Sequence, residues 1–373
     1  MELFWRKHIP PHINNRGKQH MVSRMTKWCF HYALGMVKLE TIPDQFAETA
    51  SAIGSIELLD WYMVHVLSKK PTKDTFNDKG AIKTASWYGQ IKVLDWWKQH
   101  NEGKWEWDIF SIYGAHINGH VEVLKWWEQF NYESSIKEAI SKEKYAFQDV
   151  FNRASMLGNI SLLDWWKKQI PKEEWFVDRW MSNRVMDDAA NTLVLDWWKN
   201  EIPDKNEWKW TEDAMDVASF NQDLKILDWW KKEITDQSKW KWTQNAMDDA
   251  SWKGYTHVLD WWKNNIADIK EWKWTQNAMD FASAHGHISV LDWWKDNISG
   301  VDDLKWSSLS LTLATQHNKI KVLDWWKRNI AKEKWKWEED EIRRALRHVH
   351  DGETKIVKQW WSLNVPEVQW YIN

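Results

Sequence analysis

The chain has 373 residues, with 51 basic and 54 acidic side chains and a net charge of −3. A balance this even lacks the positive field that a general nucleic-acid or membrane-surface binder needs. The single cysteine, Cys29, excludes a disulfide within the chain and is typical of a reducing compartment. No apolar run is long enough for a signal peptide or a membrane span, so we expect a soluble, cytoplasmic protein without a membrane partner.

The chain divides into three predicted parts. Residues 1–45 carry an apolar stripe at helical spacing between Val22 and Met36 but lack the repeat found further on. We predict an N-terminal cap there, because the end units of a repeat array need a polar outer surface. Residues 46–362 form a repeat array, and residues 363–373 are predicted to close its last repeat.

The array is marked by the tetrad Leu-Asp-Trp-Trp, which recurs at a fixed interval. The Asp of successive tetrads stands every 32 residues, at Asp164, Asp196, Asp228, Asp260, Asp292 and Asp324. In four looser copies its place is taken by Asp60, Asp95, Lys125 and Gln359. A period of this length is typical of stacked supersecondary units and not of a chain closed around one core.

Two irregularities interrupt the period. Extra residues near 131–146 are predicted to add a helical turn, and the repeat near 187–198 is short. The short repeat lacks three residues, including the glycine slot of the other repeats. We therefore expect a tighter or partly unwound turn and a local bend near Asn191.

The repeat around Gly254 predicts two short helices. Residues 244–252 form the first, with Thr243 as its N-cap, because a hydroxyl there accepts from an amide one turn later. Gly254 then stands where a helix ends in the left-handed conformation. Asn318 suits the same slot, whereas Gln222 suits it less well. The second helix is predicted over residues 256–265 and contains the tetrad.

The tetrad and the loop after it explain the unusual total of 37 tryptophans. Adjacent Trp261 and Trp262 point about 100° apart on a helix, so we expect one in the core and one on the shoulder between repeats. Asp260 and Lys263 are three residues apart and can pair on the surface. In the following loop, Lys-Trp-Lys-Trp alternates with period two, which places both Trp on one face if the segment is extended.

The segment AMDFASAHGHISVLDWWKDN, residues 278–297, has paired small residues at Ala282-Ser283, a Gly286-His287 turn and the aliphatic pair Val290-Leu291. In these features it resembles the ankyrin repeat, and the Trp-rich variant looks like the divergent ankyrin-like arrays of some fungi, amoebae and large DNA viruses. The resemblance implies an all-α helix-turn-helix solenoid of about ten repeats with terminal capping helices. It also implies a concave surface that contacts partner proteins.

This chain departs from the family at the start of the first helix. The family has Thr-Pro-Leu-His there, whereas residues 277–280 read Asn-Ala-Met-Asp. We expect an Asp to replace the family's His as the acceptor between repeats, at Asp216, Asp248 and Asp280. The resemblance assigns His120 and His287 to stabilising the turn and not to binding a metal.

The two slots after the small pair vary from repeat to repeat and border the family's concave surface. Variation inside a fixed frame suits recognition, and unconstrained surface drift would produce it too. Large aromatics supply binding hot spots, so we expect partner contacts at Trp87, Tyr88, Phe220, Trp252 and His285. No phosphate-binding glycine motif, nucleophile–base set or standard zinc spacing is present, so we expect no cofactor, no metal and no catalysis.

Three functions follow from these observations. The first is a non-catalytic scaffold that binds another protein through the concave face. The second is a structural protein that self-associates through exposed Trp shoulders. The third is a glycan or nucleic-acid ligand held by the loop Trp, whose rings could stack on sugars or bases. The alternative role for these Trp is packing, which we favour because Trp buries a large apolar area.

Overall fold

The structure is a computed structural model. It describes residues 46–66, 78–100, 109–129, 150–175, 182, 184–349 and 354–366. All regular structure in these ranges is helical, and the helices form an all-α repeat architecture in which neighbouring helix pairs pack on one another. The chain forms two compact units, Met1–Ser182 and Asn183–Asn373. The predicted cap at 1–45 and the predicted insertion near 131–146 lie outside the described residues.

In the first unit the described helices form four pairs. They are α1 (Phe46–Ile53) with α2 (Ile56–His65), α3 (Asp78–Trp87) with α4 (Ile91–His100), α5 (Ile109–Ile117) with α6 (Val121–Glu128), and α7 (Val150–Met156) with α8 (Ile160–Gln169).

The second unit begins with a single helix and continues in pairs. The helices are α9 (Thr192–Glu201), then α10 (Asp213–Phe220) with α11 (Leu224–Glu233), α12 (Asn245–Lys253) with α13 (Thr256–Asn265), α14 (Asn277–His285) with α15 (Ile288–Asn297), α16 (Leu309–Gln316) with α17 (Ile320–Asn329), and α18 (Glu339–Arg347) with α19 (Thr354–Asn364). The short repeat has a turn over residues 184–188 in place of a first helix.

The turns inside the eight pairs from α1–α2 to α16–α17 confirm the predicted left-handed residue. Six glycines in this slot have a positive φ: Gly54, Gly89, Gly119, Gly158, Gly254 and Gly286. Gln222 and Asn318 adopt the same conformation without being glycine. The residue after this slot in the next repeat packs against the turn, as His287 does over Gly254 and His120 over Gly89. The predicted turn-stabilising role of both histidines is therefore confirmed.

Side chains cap many of the second helices. Ser55, Asn159 and Asp223 accept hydrogen bonds from backbone amides in the first turn, as their position predicts. Asn191 accepts from Leu193 and Val194 and so begins α9, the second helix of the short repeat.

Within each unit, a ladder of Trp–Asp hydrogen bonds joins second helices of consecutive repeats. The first Trp of a tetrad donates its indole N–H to the tetrad Asp of the preceding repeat at 2.7–2.8 Å, as Trp293 does to Asp260. This Trp does lie between repeats, but it is buried, with at most 9% of its surface exposed. The expectation of an exposed shoulder was therefore wrong. The expected Asp260–Lys263 pair is also absent from the structure, where Asp260 accepts from Trp293.

The second Trp of each tetrad lies deeper and reaches the first helix of the preceding repeat. Its indole N–H donates to the hydroxyl that follows the small Ala, at 2.9–3.2 Å, as Trp262 does to Ser219. In one repeat His116 stands in place of the hydroxyl residue, and its Nδ1 accepts from Trp166 at 3.0 Å. Every Trp of this class is at most 2% exposed.

Two tryptophans in the described residues break these ladders, each beside a departure from the repeat. The indole N–H groups of Trp165 and Trp230 are buried without a hydrogen-bond partner. The tetrad before Trp165 has Lys125 where the others have Asp. The short repeat before Trp230 has Ala190 where the others have a hydroxyl, and it lacks the first helix that carries it. In both places the indole N–H is unpaired where the tetrad Asp or the first-helix hydroxyl is missing. This indicates that those two residues are its acceptors in the other repeats.

The loop tryptophans complete a four-ring cluster in four repeats of the second unit, whereas the repeat of Trp325 and Trp326 has Leu304 in place of the first loop Trp. The first loop Trp donates to the carbonyl of the Ile that ends the preceding second helix, at 2.7–3.0 Å. The second stacks on the deep tetrad Trp, with centroids 4.3 Å apart for Trp242 and Trp262. Both loop Trp therefore face the same way, as the period-two pattern predicts. A short 3-10 turn precedes the first loop Trp, as at Lys205–Glu207, and was not predicted.

The lysine between two loop tryptophans binds the preceding repeat. Its Nζ donates to the carbonyl of that repeat's second loop Trp at 2.7–2.9 Å, as Lys273 does to Trp242. The same Nζ lies over the ring of that Trp, 4.5–4.8 Å from the centroid. These rings are therefore engaged by a stacked Trp and by a Lys, which supports packing as their role.

The first helices are joined by a third ladder, as predicted for Asp216, Asp248 and Asp280. Each of these carboxylates accepts from the amide and the hydroxyl of the Thr or Ser one repeat on. Asp216, for example, binds Thr243 N at 2.9 Å and Thr243 Oγ1 at 2.5 Å. Thr243 Oγ1 in turn accepts from Asn245 N at 3.1 Å, so its hydroxyl caps the helix as predicted, although the N-cap position itself is Gln244, one residue later.

Candidate functional site

The ladders use the recurring polar and aromatic side chains, so a binding surface has to come from the residues that vary. In the second unit these residues lie on the exposed side of α10, α12, α14 and α16, which we call the open face. Its side chains follow one another at the same helix positions in successive repeats. The exposed apolar members are Val217, Phe281 and Leu309.

Three of the predicted binding residues meet on the open face. Phe220 and Trp252 occupy equivalent positions in consecutive repeats, and their ring centroids are 5.9 Å apart. Trp252 makes an edge contact with His285 of the next repeat, also at 5.9 Å. We call Phe220, Trp252 and His285 the aromatic ridge. Phe220 and Trp252 are half-buried and His285 is exposed, so the ridge is ordered by its own contacts and still accessible.

Hydrogen bonds fix the ridge in one protonation state of His285. The indole N–H of Trp252 donates to His285 Nε2 at 3.2 Å, and His285 Nδ1 lies 3.0 Å from the carbonyl oxygen of Phe281. An imidazole that accepts at Nε2 carries its proton on Nδ1, so these two bonds describe a neutral His285. The ridge is a preorganised surface, because its central Trp is already held in position.

Lys253 adds a positive charge to the ridge. Its Nζ lies 4.5 Å from the ring centroid of Phe220 and 4.4 Å from that of Trp252. An ammonium group over two aromatic faces is held by the ring quadrupoles. Lys253 is a member of the candidate site that was not predicted from the sequence, although it follows Trp252 directly in the variable slots and could have been found there.

Asp249 is a half-buried carboxylate one helical turn before Lys253. Burial raises the pKa of Asp249, and the charge of Lys253 partly offsets this. The equivalent positions in the repeats before and after are the exposed Val217 and Phe281. The open face thus combines apolar side chains with one acidic and one basic group.

The turns beside the ridge carry further imidazoles. The rings of His285 and His287 are stacked with centroids 6.0 Å apart. Burial, followed by the charges of His285 and Lys319, lowers the pKa of both His287 and His317. The aliphatic part of Lys319 packs over Gly286, with Cδ 3.3 Å from the place a Cβ would take.

The other two predicted binding residues, Trp87 and Tyr88, belong to the first unit. Trp87 is half-buried, with its ring centroid 6.4 Å from that of Tyr113, and Tyr88 is exposed. Gly114 makes room for Trp87, because a Cβ there would lie 2.7 Å from its ring. Of the five predicted residues, three therefore lie in the second unit and two in the first.

The part of the chain that the structure describes contains no cluster of three His, Cys, Asp or Glu side chains arranged to hold a metal ion. None of its helices combines the length and apolar character required to cross a membrane. Comparison with models of known protein families and with curated proteins gives no match for this chain.

Proposed function

We propose that the protein is a non-catalytic, ankyrin-like scaffold that binds another protein on the open face of its second unit. The observation that carries this proposal is that the aromatic residues fall into two classes, one packed inside the protein and one accessible on its surface. The tetrad and loop Trp are engaged in packing and internal hydrogen bonds, whereas Phe220 and Trp252 stay half-exposed on the first helices. Accessible, preorganised aromatics are typical of interface hot spots.

The resemblance to ankyrin repeats supports the same surface. In that family the end of the first helix borders the concave partner-binding face, and Phe220 and Trp252 stand at the equivalent places here. A partner that packs on this ridge would bury rings that need no rearrangement, which lowers the entropic cost of binding.

The test is capture of partners from native cell extract by the full chain and by the Phe220→Ala/Trp252→Ala variant, read by mass spectrometry. We expect a partner that binds the wild type and is lost from the variant. Leu193→Ala/Leu363→Ala is the matched control, because it also removes two exposed apolar side chains but on second helices. Equal helical content and melting temperature show that each variant is folded.

The proposal is wrong if every captured protein binds the ridge variant as well as the wild type. Capture of the chain itself, lost in the ridge variant, would identify self-association as the use of this surface. Capture lost equally in the control variant would show that the effect is not specific to the ridge.

A further inference from the structure

We infer that the aromatic ridge binds an acidic segment of the partner, with an apolar side chain on Phe220 and Trp252 and carboxylates beside Lys253, His287, His317 and Lys319. This inference rests on the proposed function and gives the chemistry of the partner. It follows from Lys253 and Lys319, which border the ridge and form no ion pair with a carboxylate of the described residues.

Neither lysine in this group is paired with a carboxylate of the described residues. Within the described residues, Lys253 contacts only the two ridge rings through its ammonium group, and no ion pair joins Lys253 or Lys319 to a carboxylate. Asp249 influences Lys253 from one turn away without forming an ion pair with it. An ammonium group held over two rings is partly desolvated, which strengthens its attraction for an incoming carboxylate.

The imidazoles follow the two lysines along successive repeats. Lys253, His285 and His317 occupy equivalent positions 32 residues apart, and His287 and Lys319 do so on the adjoining turns. Burial, His285 and Lys319 lower the pKa of His287 and of His317, and no carboxylate counteracts this. The imidazoles are therefore neutral near pH 7 and the two lysines carry the charge, which a bound carboxylate would compensate, so charge complementarity favours an acidic partner.

The alternative of a nucleic-acid ligand fits this surface less well. The whole chain has a net charge of −3, and the same four first helices carry Glu212, Asp213 and Asp249. Two lysines and neighbouring histidines make a local row and not the broad basic stripe that phosphate backbones require. The apolar Val217 and Phe281 on the same face suit the side chains of a peptide.

The test is selection from a random peptide library on three immobilised full-length proteins: the wild type, Lys253→Glu/Lys319→Glu and Phe220→Ala/Trp252→Ala. We expect the wild type to select peptides rich in Asp and Glu that also carry an aromatic or large aliphatic residue. A synthetic copy of the most enriched peptide should bind the charge-reversed protein at least about tenfold more weakly. Its binding to the wild type should also weaken as salt is added.

The outcomes separate this inference from the proposed function. If the selected peptides are neutral or basic and are lost only in the Phe220→Ala/Trp252→Ala protein, the ridge binds peptides and the acidic inference is wrong. If no peptide depends on either pair of residues, both proposals fail. A fluorescein-labelled single-stranded DNA is titrated in parallel. If the DNA binds the wild type in a salt-dependent way and does not bind Lys253→Glu/Lys319→Glu, the ligand of this surface is nucleic acid and the acidic-peptide inference is wrong.

Discussion

At the scale of single residues, the indole N–H decides where the buried tryptophans can lie. A Trp side chain buries about 150–250 Å², which stabilises the fold, but its N–H has to be paired once water is removed. The chain solves this with three acceptors: a tetrad Asp, a first-helix hydroxyl and an Ile carbonyl. Each acceptor recurs with the Trp that needs it.

The sequence allowed the packing role of these Trp to be predicted but not their acceptors. Trp261 and Asp228 are 33 residues apart, and a repeat period alone does not tell which side chain of the preceding repeat an indole reaches. Asp260 looked like the partner of Lys263 because local helical spacing was the only distance available. One sequence signal could have been used: Lys125 replaces the tetrad Asp in the repeat before Trp165.

We predict that Lys125→Asp stabilises the first unit. The Asp would stand where Asp95 stands one repeat earlier, and Asp95 accepts from Trp126 at 2.8 Å. It would give the unpaired N–H of Trp165 a charged acceptor, which contributes about 1–2 kcal/mol to the free energy of unfolding. The lost ion pair with Glu122 is exposed on both sides and contributes at most about 0.5 kcal/mol. Chemical denaturation measures the difference.

Lys125→Ala is the control for this prediction, because it removes the same ion pair and supplies no acceptor. Lys125→Asp should be the more stable of the two variants. Equal stability of the Asp and Ala variants would show that the carboxylate does not reach Trp165. In a Trp165→Phe background, Lys125→Asp should give no gain in stability, since no indole N–H remains to be paired.

At the scale of elements, the turn between the two helices of a pair was predictable because its cause is local. A helix that ends in a left-handed residue favours Gly, and the glycines recur in that slot. The 3-10 turn in the loop was not predicted, although Asp204, Asp236 and Asp268 at its start could have indicated it. Each of these Asp side chains accepts a hydrogen bond from the amide two residues later. Asp commonly forms turns in this way.

We predict that Gly254→Ala destabilises the second unit. Its φ of +83° is unfavourable for any residue with a Cβ, at a cost of about 1–2 kcal/mol. The new Cβ would also lie 2.8 Å from His287 Nδ1, so the ring that covers the turn has to move. Thermal unfolding should show a lower melting temperature for the variant.

Gly300→Ala is the matched control for the turn, because a Cβ there meets nothing closer than 3.5 Å and the residue does not have a left-handed φ. The opposite exchange should stabilise: Gln222 has a φ of 54° in the same slot, and Gln222→Gly removes that cost. If Gly254→Ala were no worse than Gly300→Ala, backbone conformation would not control this turn.

At the scale of the whole molecule, the all-α repeat architecture was predictable because the period indicates stacked units and the spacing inside one repeat indicates two helices. The candidate site was less predictable. The variable slots marked Phe220, Trp252 and His285, and the structure brings these three side chains together across three repeats. Trp87 and Tyr88 fitted the same rule but lie in the first unit. Selecting the variable positions after the small pair gives candidates in every repeat, and the sequence does not tell which repeats contribute to one surface.

The two units carry buried titratable groups with opposite responses to acid. Burial, with a smaller contribution from Arg153, lowers the pKa of His116 in the first unit from 6.5 to about 3. In the second unit, burial raises the pKa of Asp187, Asp216 and Asp248. Below pH 6.5 the unfolded chain takes up a proton at His116 that the folded chain refuses, so the first unit loses stability. The raised Asp pKa values act the other way, because the folded second unit holds protons more tightly than the unfolded chain.

We predict that acid opens the first unit before the second, and that His116→Ser removes this difference. Between about pH 6.5 and pH 3 the buried imidazole costs about 1.4 kcal/mol per pH unit, or about 2 kcal/mol at pH 5. Ser occupies this position in the neighbouring repeat, where Ser86 accepts from Trp127, so the variant keeps an acceptor for Trp166. Hydrogen–deuterium exchange, expressed as protection factors, should show α5 and α8 losing protection as the pH falls, while α12 and α14 keep theirs. An equal loss in wild type and His116→Ser would mean that His116 is not the group that makes the first unit sensitive to acid.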